Sequence, residues 1–119
     1  LRIAEIAECL NAKIYTEYYL DKQVTSACGA DLMSDVLSFV KSNTVLLTGL
    51  LNPHVIRTAE MIDISCIVFV RGKIPTEELV ELAREKGIAL LATEISMYEA
   101  CGMLYQKGLP ACMDNQGEP

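Results

Sequence analysis

A chain of 119 residues with a formal net charge of −6 has the size of one domain, long enough to bury roughly two thirds of its unfolded surface in a single core. Hydrophobic residues make up 51%, yet no apolar run approaches the roughly 20 residues that cross a bilayer. No lysine- or arginine-rich block supplies the basic footprint that draws proteins to phosphate backbones, so neither a membrane nor nucleic acid is expected as a partner.

The first segment, "LRIAEIAECLN", places Ile3, Ile6, Ala7 and Leu10 at the spacing of a helix with one apolar face. No signal or transit segment precedes it; because the chain opens at Leu1, a partner domain outside this sequence stays open. "AKIYT" and "QVTSACG" follow as short β-prone runs, expected to pair as a loose hairpin or to lie side by side in the sheet. "DLMSDVLSFVKSN" reads as a second helix, with Asp31 as its N-cap and Leu32, Val36, Phe39 and Val40 on its apolar side.

From Val45 the pattern becomes regular. "VLLTG", "CIVFVRG" and "IALLATE" begin about 21 residues apart, each followed by an amphipathic helical stretch. These strands are apolar throughout, as in parallel sheets covered by helices on both faces, and the fold class is α/β. The helices are expected at 53–63, 76–86 and 97–107, with Gly87 and Gly108 just beyond the last two. Asn52 with Pro53, the first-turn Glu77 and Glu78, and the Ser96/Glu99 capping box mark their starts. Residues 1–112 form one domain, and 113–119, which carry no apolar face, read as a flexible tail.

Ligands of open parallel sheets lie beyond the carboxyl ends of the strands, where helix N-termini converge. The three strands deliver Thr48, Gly49, Arg71, Gly72 and Thr93 with Glu94 to that edge, and the following loops add Asn52, His54 and Ser96. Arg71 suits a phosphate or carboxylate, or a salt bridge to Glu94 or Glu99. Asp31 and Ser34, with Asp35, offer a cation ligand or proton acceptor, or ordinary compensation of the helix dipole. Tyr15, Tyr18 and Tyr19 form a candidate aromatic patch for a partner. Met97, Cys101, Met103 and Leu104 share a helical face as core or interface. Five cysteines, Cys9, Cys28, Cys66, Cys101 and Cys112, form no C-x-x-C pair and read as reduced thiols of a cytoplasmic protein. His54 has no cysteine near it in sequence, so no metal is expected. Glycine-rich phosphate cradles, the G-x-S-x-G elbow and H-E-x-x-H are missing, and no cofactor is expected.

The order of these segments resembles the DRTGG domain family across 1–109. The resemblance rests on "RIAEIAECLNAKI", on "VTSACGADLMSDVL" leading into the second helix, on a strand ending near Arg71-Gly72, and on the closing "LLATEISMYEACGMLY". Where the family name implies Asp-Arg the chain has Asp21-Lys22, and where it implies Thr-Gly-Gly the chain has Val70-Arg71-Gly72; Lys22 keeps the charge without the guanidinium fork. The resemblance implies a three-layer α/β/α domain with a mostly parallel sheet, similar to the N-terminal domain of HPr kinase and to domains of the MurE and MurF ligases. Relatives accompany nucleotide-sensing CBS domains in regulated pyrophosphatases, flank some phosphotransacetylases, or stand alone beside iron-only hydrogenases.

The reading that follows is a non-catalytic regulatory module that forms a homodimer and binds a small anionic metabolite or nucleotide at the strand ends. The alternatives are an adaptor for a redox enzyme of the hydrogenase type and, less favoured, an enzyme acting on a phosphorylated small molecule with Asp31 or Asp35 as base.

Overall fold

The structure, a computed structural model, describes residues 1–41 and 43–112; Ser42, the side chain of Phe39 and the segment read as a tail, 113–119, lie outside it. Its elements run α1 (Ile3–Cys9), β1 (Lys13–Thr16), β2 (Ser26–Gly29), α2 (Met33–Phe39), β3 (Thr44–Thr48), α3 (Pro53–Met61), β4 (Cys66–Phe69), α4 (Glu77–Lys86), β5 (Ala89–Ala92) and α5 (Met97–Gln106). The strands form one sheet in the order β1-β5-β4-β3-β2. Strands β2, β3, β4 and β5 are parallel, in a register that aligns Leu47, Val68 and Leu91, while β1 runs antiparallel to β5.

Every residue of β3, β4 and β5 is buried, and alternation divides them between two apolar layers. Val45, Leu47, Val68 and Leu91, with Val70 just beyond β4, meet Ile3 and Ile6 of α1, Leu10 at its end, and Ala100 and Leu104 of α5. Leu46, Ile67, Phe69 and Leu90 meet Val36 of α2, Val55, Ile56 and Ala59 of α3, and Leu79 and Ala83 of α4. The architecture is thus three-layer α/β/α, the arrangement that continuous apolar strands require.

Local chemistry sets most helix ends. Asn52 Oδ1 accepts from His54 N at 2.8 Å with Pro53 at the first helical position, and Thr76 Oγ1 accepts from Leu79 N. Gly87 ends α4 at φ 68°, a left-handed conformation that costs a residue with a Cβ about 1 kcal/mol or more. At α5 the Ser96 hydroxyl accepts from Glu99 N at 3.2 Å and faces Glu99 Oε1 at 3.4 Å.

Two expectations are corrected. The segments "AKIYT" and "QVTSACG" are neither a hairpin nor neighbours: β1 and β2 form opposite edges of the sheet, because β1 pairs with the distant β5 while β2 pairs in parallel with β3, the next strand, through the α2 crossover. Asp31 does not cap α2. Leu32 occupies the N-cap position with no side-chain cap and is 60% exposed rather than part of the apolar side; Asp31 is drawn instead into a tertiary contact at the end of β3. The β2 edge is partly closed by the chain end, where Ala27 N donates to Pro110 O at 3.0 Å and Cys112 N to Ala27 O at 3.2 Å, which shields an open ladder.

Candidate functional site

The parallel register brings the ends of β3, β4 and β5 to one rim. Helices α3 and α4, which follow β3 and β4, pack on one face, whereas α5, which follows β5, packs on the other. The chain therefore leaves β4 and β5 in opposite directions, and the crevice between their loops is the topological switch point at which open α/β sheets take ligands.

At the β3 end the polar groups are tied together. Asp31 Oδ1 accepts from Thr48 Oγ1 at 3.0 Å and from Gly49 N at 2.8 Å, and Thr48 Oγ1 accepts from Leu50 N at 3.1 Å. Thr48 is fully buried. The Arg71 guanidinium lies over Gly49 so closely that a Cβ there would stand 2.5 Å from its Nη2. Arg71 and Gly72 both have positive φ, 60° and 72°, and Lys73 N donates back to Val70 O at 3.3 Å, the geometry of a type I′ turn. Arg71 N donates to Ile95 O at 2.9 Å and Gly72 N to Thr93 O at 3.0 Å, so backbone from the β5 loop holds the strained arginine in place. Among the described residues neither Glu94 nor Glu99 forms a salt bridge with it.

A cavity of about 370 Å³ opens on the other side of that turn, lined by Asn11, Lys13, Tyr15, Gly72, Lys73 and Ile74 with the end of β5, Ala92 to Glu94. Lys13 reaches this rim because β1 is antiparallel: its first residue pairs with Ala92, the last of β5. The Lys13 ammonium sits 5.0 Å from the centroid of the Tyr15 ring. Thr93 contributes wall rather than a free hydroxyl, since its Oγ1 donates to Leu10 O at 2.7 Å and accepts from Ile95 N at 3.2 Å.

The ten sequence-derived candidates thus fall into three sets. Asp31, Thr48, Gly49 and Arg71 cluster at the β3 and β4 ends, and Gly72 and Thr93 line the cavity. Asn52 and His54 head α3, Ser96 heads α5 on the opposite face, and Ser34 is exposed on α2; none of these four lines the cavity. Lys13 and Lys73 were not among the candidates, because nothing local in "AKIYT" signals that its first residue lies beside the end of a strand more than seventy positions later.

A larger groove, about 650 Å³, runs between α1 and α5 with Glu5, Glu8, Cys9, Met103 and Lys107 along it. Glu5 is held below its ordinary pKa, first by the Arg2 backbone N–H that donates to it at 2.8 Å. Burial pushes the thiols up: Cys28 to about 12, with a hydrogen bond to Cys112 adding to the effect, and Cys66 and Cys101 in the same direction. Such thiols stay protonated and unreactive near neutrality. Among the described residues no three His, Cys, Asp or Glu side chains gather as a metal site, and no helix is long and apolar enough to cross a membrane.

The profile of the DRTGG domain matches residues 5–106. The chain belongs to the DRTGG domain family. Among solved structures, this DRTGG domain is similar to the regulatory region of Clostridium perfringens pyrophosphatase, comprising CBS and DRTGG domains and complexed with its activator, diadenosine tetraphosphate. The TM-score is 0.66 at 16% identity, over 94% of this chain and 50% of that one, so the likeness shows the fold, and the chain spans half the length of that region. No curated protein matches the chain. Asp21 and Lys22 lie in the segment that backs the start of α1: Asp21 Oδ1 is 3.3 Å from Arg2 Nη1, and Ile3 N donates to Lys22 O.

Proposed function

We propose that this DRTGG domain is a non-catalytic regulatory module of the cytoplasm that senses a small anionic metabolite or nucleotide at the carboxyl edge of its sheet and self-associates as a dimer. The observation that carries the reading is the open cavity at the switch point, where two lysines and a backbone-held turn stand beside strand ends whose threonine hydroxyls, Thr48 and Thr93, are bonded internally. The pyrophosphatase regulatory region, with its nucleotide activator, supports a sensing role for the fold.

The self-association surface is the outer side of α5, where Tyr98 and Tyr105 are 89% and 72% exposed on either side of Gly102; aromatic residues presented this way are common anchors of protein interfaces. Thermal shifts with AMP, ATP, diadenosine polyphosphates, NADH and acetyl phosphate test the ligand. A ligand present at 100 times its dissociation constant adds about 2.7 kcal/mol, and flat melting curves across the whole panel sink the sensing role. Light scattering at micromolar concentration tests the dimer; a monomer there sinks it.

A further inference from the structure

We infer that the cavity between the β4–α4 and β5–α5 loops takes a ribonucleoside 5′-monophosphate, with Lys13 and Lys73 on the phosphate and Glu94 on the ribose hydroxyls. This rests on the reading that the strand-end rim binds an anion, and it moves the anion from Arg71 to the lysines. Lys13 and Lys73 both line the cavity, both are exposed, and among the described residues neither forms a salt bridge. Lys13 instead rests over the Tyr15 ring, a contact worth about 0.5–1 kcal/mol at an exposed site, which a phosphate offering charge-assisted hydrogen bonds displaces.

Glu94 shapes the rest of the ligand. A carboxylate in the same cavity repels a polyphosphate or a second acidic group, but it accepts hydrogen bonds from a vicinal diol, as acidic residues do at ribose in dinucleotide folds. Beside Asn11 and Thr93, the remaining wall carries an apolar portion: Ala92, the half-buried Tyr15, and Ile74, a large aliphatic side chain left 68% exposed. Such a wall suits the flat face of a base. At about 370 Å³ the space is near the lower end of the roughly 300–1,000 Å³ typical of small-molecule sites, sized for a mononucleotide rather than a dinucleotide. Above Gly72 no heavy atom of the described residues beyond its chain neighbours lies within 4 Å of where a Cβ would stand, so the turn presents bare backbone to the ligand. The hydrogen bonds from Arg71 N and Gly72 N to the β5 loop hold the turn through the protein's own backbone, and such rigidity lowers the entropic cost of binding.

Isothermal titration calorimetry of the four ribonucleoside 5′-monophosphates against the full chain tests the assignment, with circular dichroism confirming that each variant is folded. At least one monophosphate is expected to bind, with a loss of tenfold or more in the Lys13→Ala/Lys73→Ala double variant and less than twofold in Lys107→Ala, a charge control in the α1–α5 groove. The 2′-deoxy analogue is expected to bind about tenfold more weakly than its ribose parent to the wild type, and within twofold of it to Glu94→Ala. If acetyl phosphate or a diadenosine polyphosphate binds and no monophosphate does, or if Arg71→Ala abolishes binding while the double lysine variant does not, the inference falls and the broader sensing role stands. Equal ribose discrimination in wild type and Glu94→Ala overturns the assigned orientation. Silence from every anion overturns both.

Discussion

Replacing Asp31 by alanine decides whether that carboxylate is a structural pin or a free functional group. Its Oδ1 receives two donors, the hydroxyl of fully buried Thr48 and the backbone N–H of Gly49. A hydrogen bond to a charged group contributes about 1.5–3 kcal/mol when buried. Asp31 itself is exposed, which places each bond at or below the lower end of that range. The buried Thr48 hydroxyl, however, loses the acceptor for its proton, at a cost of about 1–3 kcal/mol. Asp31→Ala should therefore destabilise by about 2 kcal/mol, which at roughly 4 °C per kcal/mol for a domain of this size lowers Tm by about 8 °C. Asp31→Asn keeps an acceptor in the same place and should lose about half as much. Thr48→Val in the Asp31→Ala background should cost about 1 kcal/mol less than in the wild type, the signature of a shared bond. With no tryptophan in the chain, urea unfolding is followed by far-ultraviolet circular dichroism. If Asp31→Ala unfolds at the wild-type midpoint, the pin does not exist, and the carboxylate is free for the base or cation role that the sequence also allows.

Among the described residues Thr58 Oγ1, buried in α3, finds no hydrogen-bond partner, so Thr58→Val, which keeps the shape and removes the hydroxyl, should stabilise by about 1 kcal/mol in urea. Gly102 lies within α5 with no atom of the described residues outside its own helix backbone and chain neighbours within 4 Å of a Cβ, and Gly102→Ala should gain about 0.5–1 kcal/mol, whereas Gly87→Ala, at φ 68°, should lose about 1 kcal/mol; the reverse order in thermal melts would contradict the assigned helix end. Cys66 is wholly buried and its thiol is raised above the ordinary 9.0. Because the unfolded chain releases this proton first, its contribution is intact below pH 9 and falls by about 1.4 kcal/mol per pH unit above it until the folded pKa is reached. Cys66→Ala should be less stable at neutral pH but should show a shallower alkaline loss between pH 9 and 10.5; equal slopes would refute the burial argument.

The sequence made the interior of this fold legible and its edges obscure. Strands β3, β4 and β5 are runs of aliphatic residues, and Asn52-Pro53, Thr76 and Gly87 write helix boundaries in chemistry that acts within three or four residues. Nothing comparable fixes β1 or β2, whose neighbours are chosen by non-local pairing. The α2 start failed for a related reason: Asp31 has the right identity for an N-cap, yet the donors of Thr48 and Gly49, brought close by the sheet, outcompete the helix amides. At the rim, Thr48, Arg71 and Thr93 were predictable as strand-end residues, while the roles of their polar groups were not. Thr48 and Thr93 spend their hydroxyls on internal acceptors, and Arg71 is fixed by backbone bonds from a loop more than twenty residues away in sequence.

The direction of β1 is what turns the switch point into a walled cavity. Were β1 parallel to β5, its first residue would lie at the amino edge and Lys13 would be removed from the crevice by the length of the strand. Running antiparallel, it sets Lys13 opposite Ala92, and the shift in register between Ile14 and Thr16 accompanies a tether at Thr16, whose buried hydroxyl donates to Ile88 O at 2.6 Å and accepts from Leu90 N at 2.8 Å. That tether locks the edge strand to β5 and fixes Lys13 and Tyr15 against the loop that carries Lys73. Thr16→Val should therefore weaken ligand binding as well as stability, although Thr16 does not line the cavity. Serine at the same position keeps the hydroxyl and should restore both. A valine variant that binds ligand as tightly as the wild type would show that the cavity does not depend on how β1 is anchored.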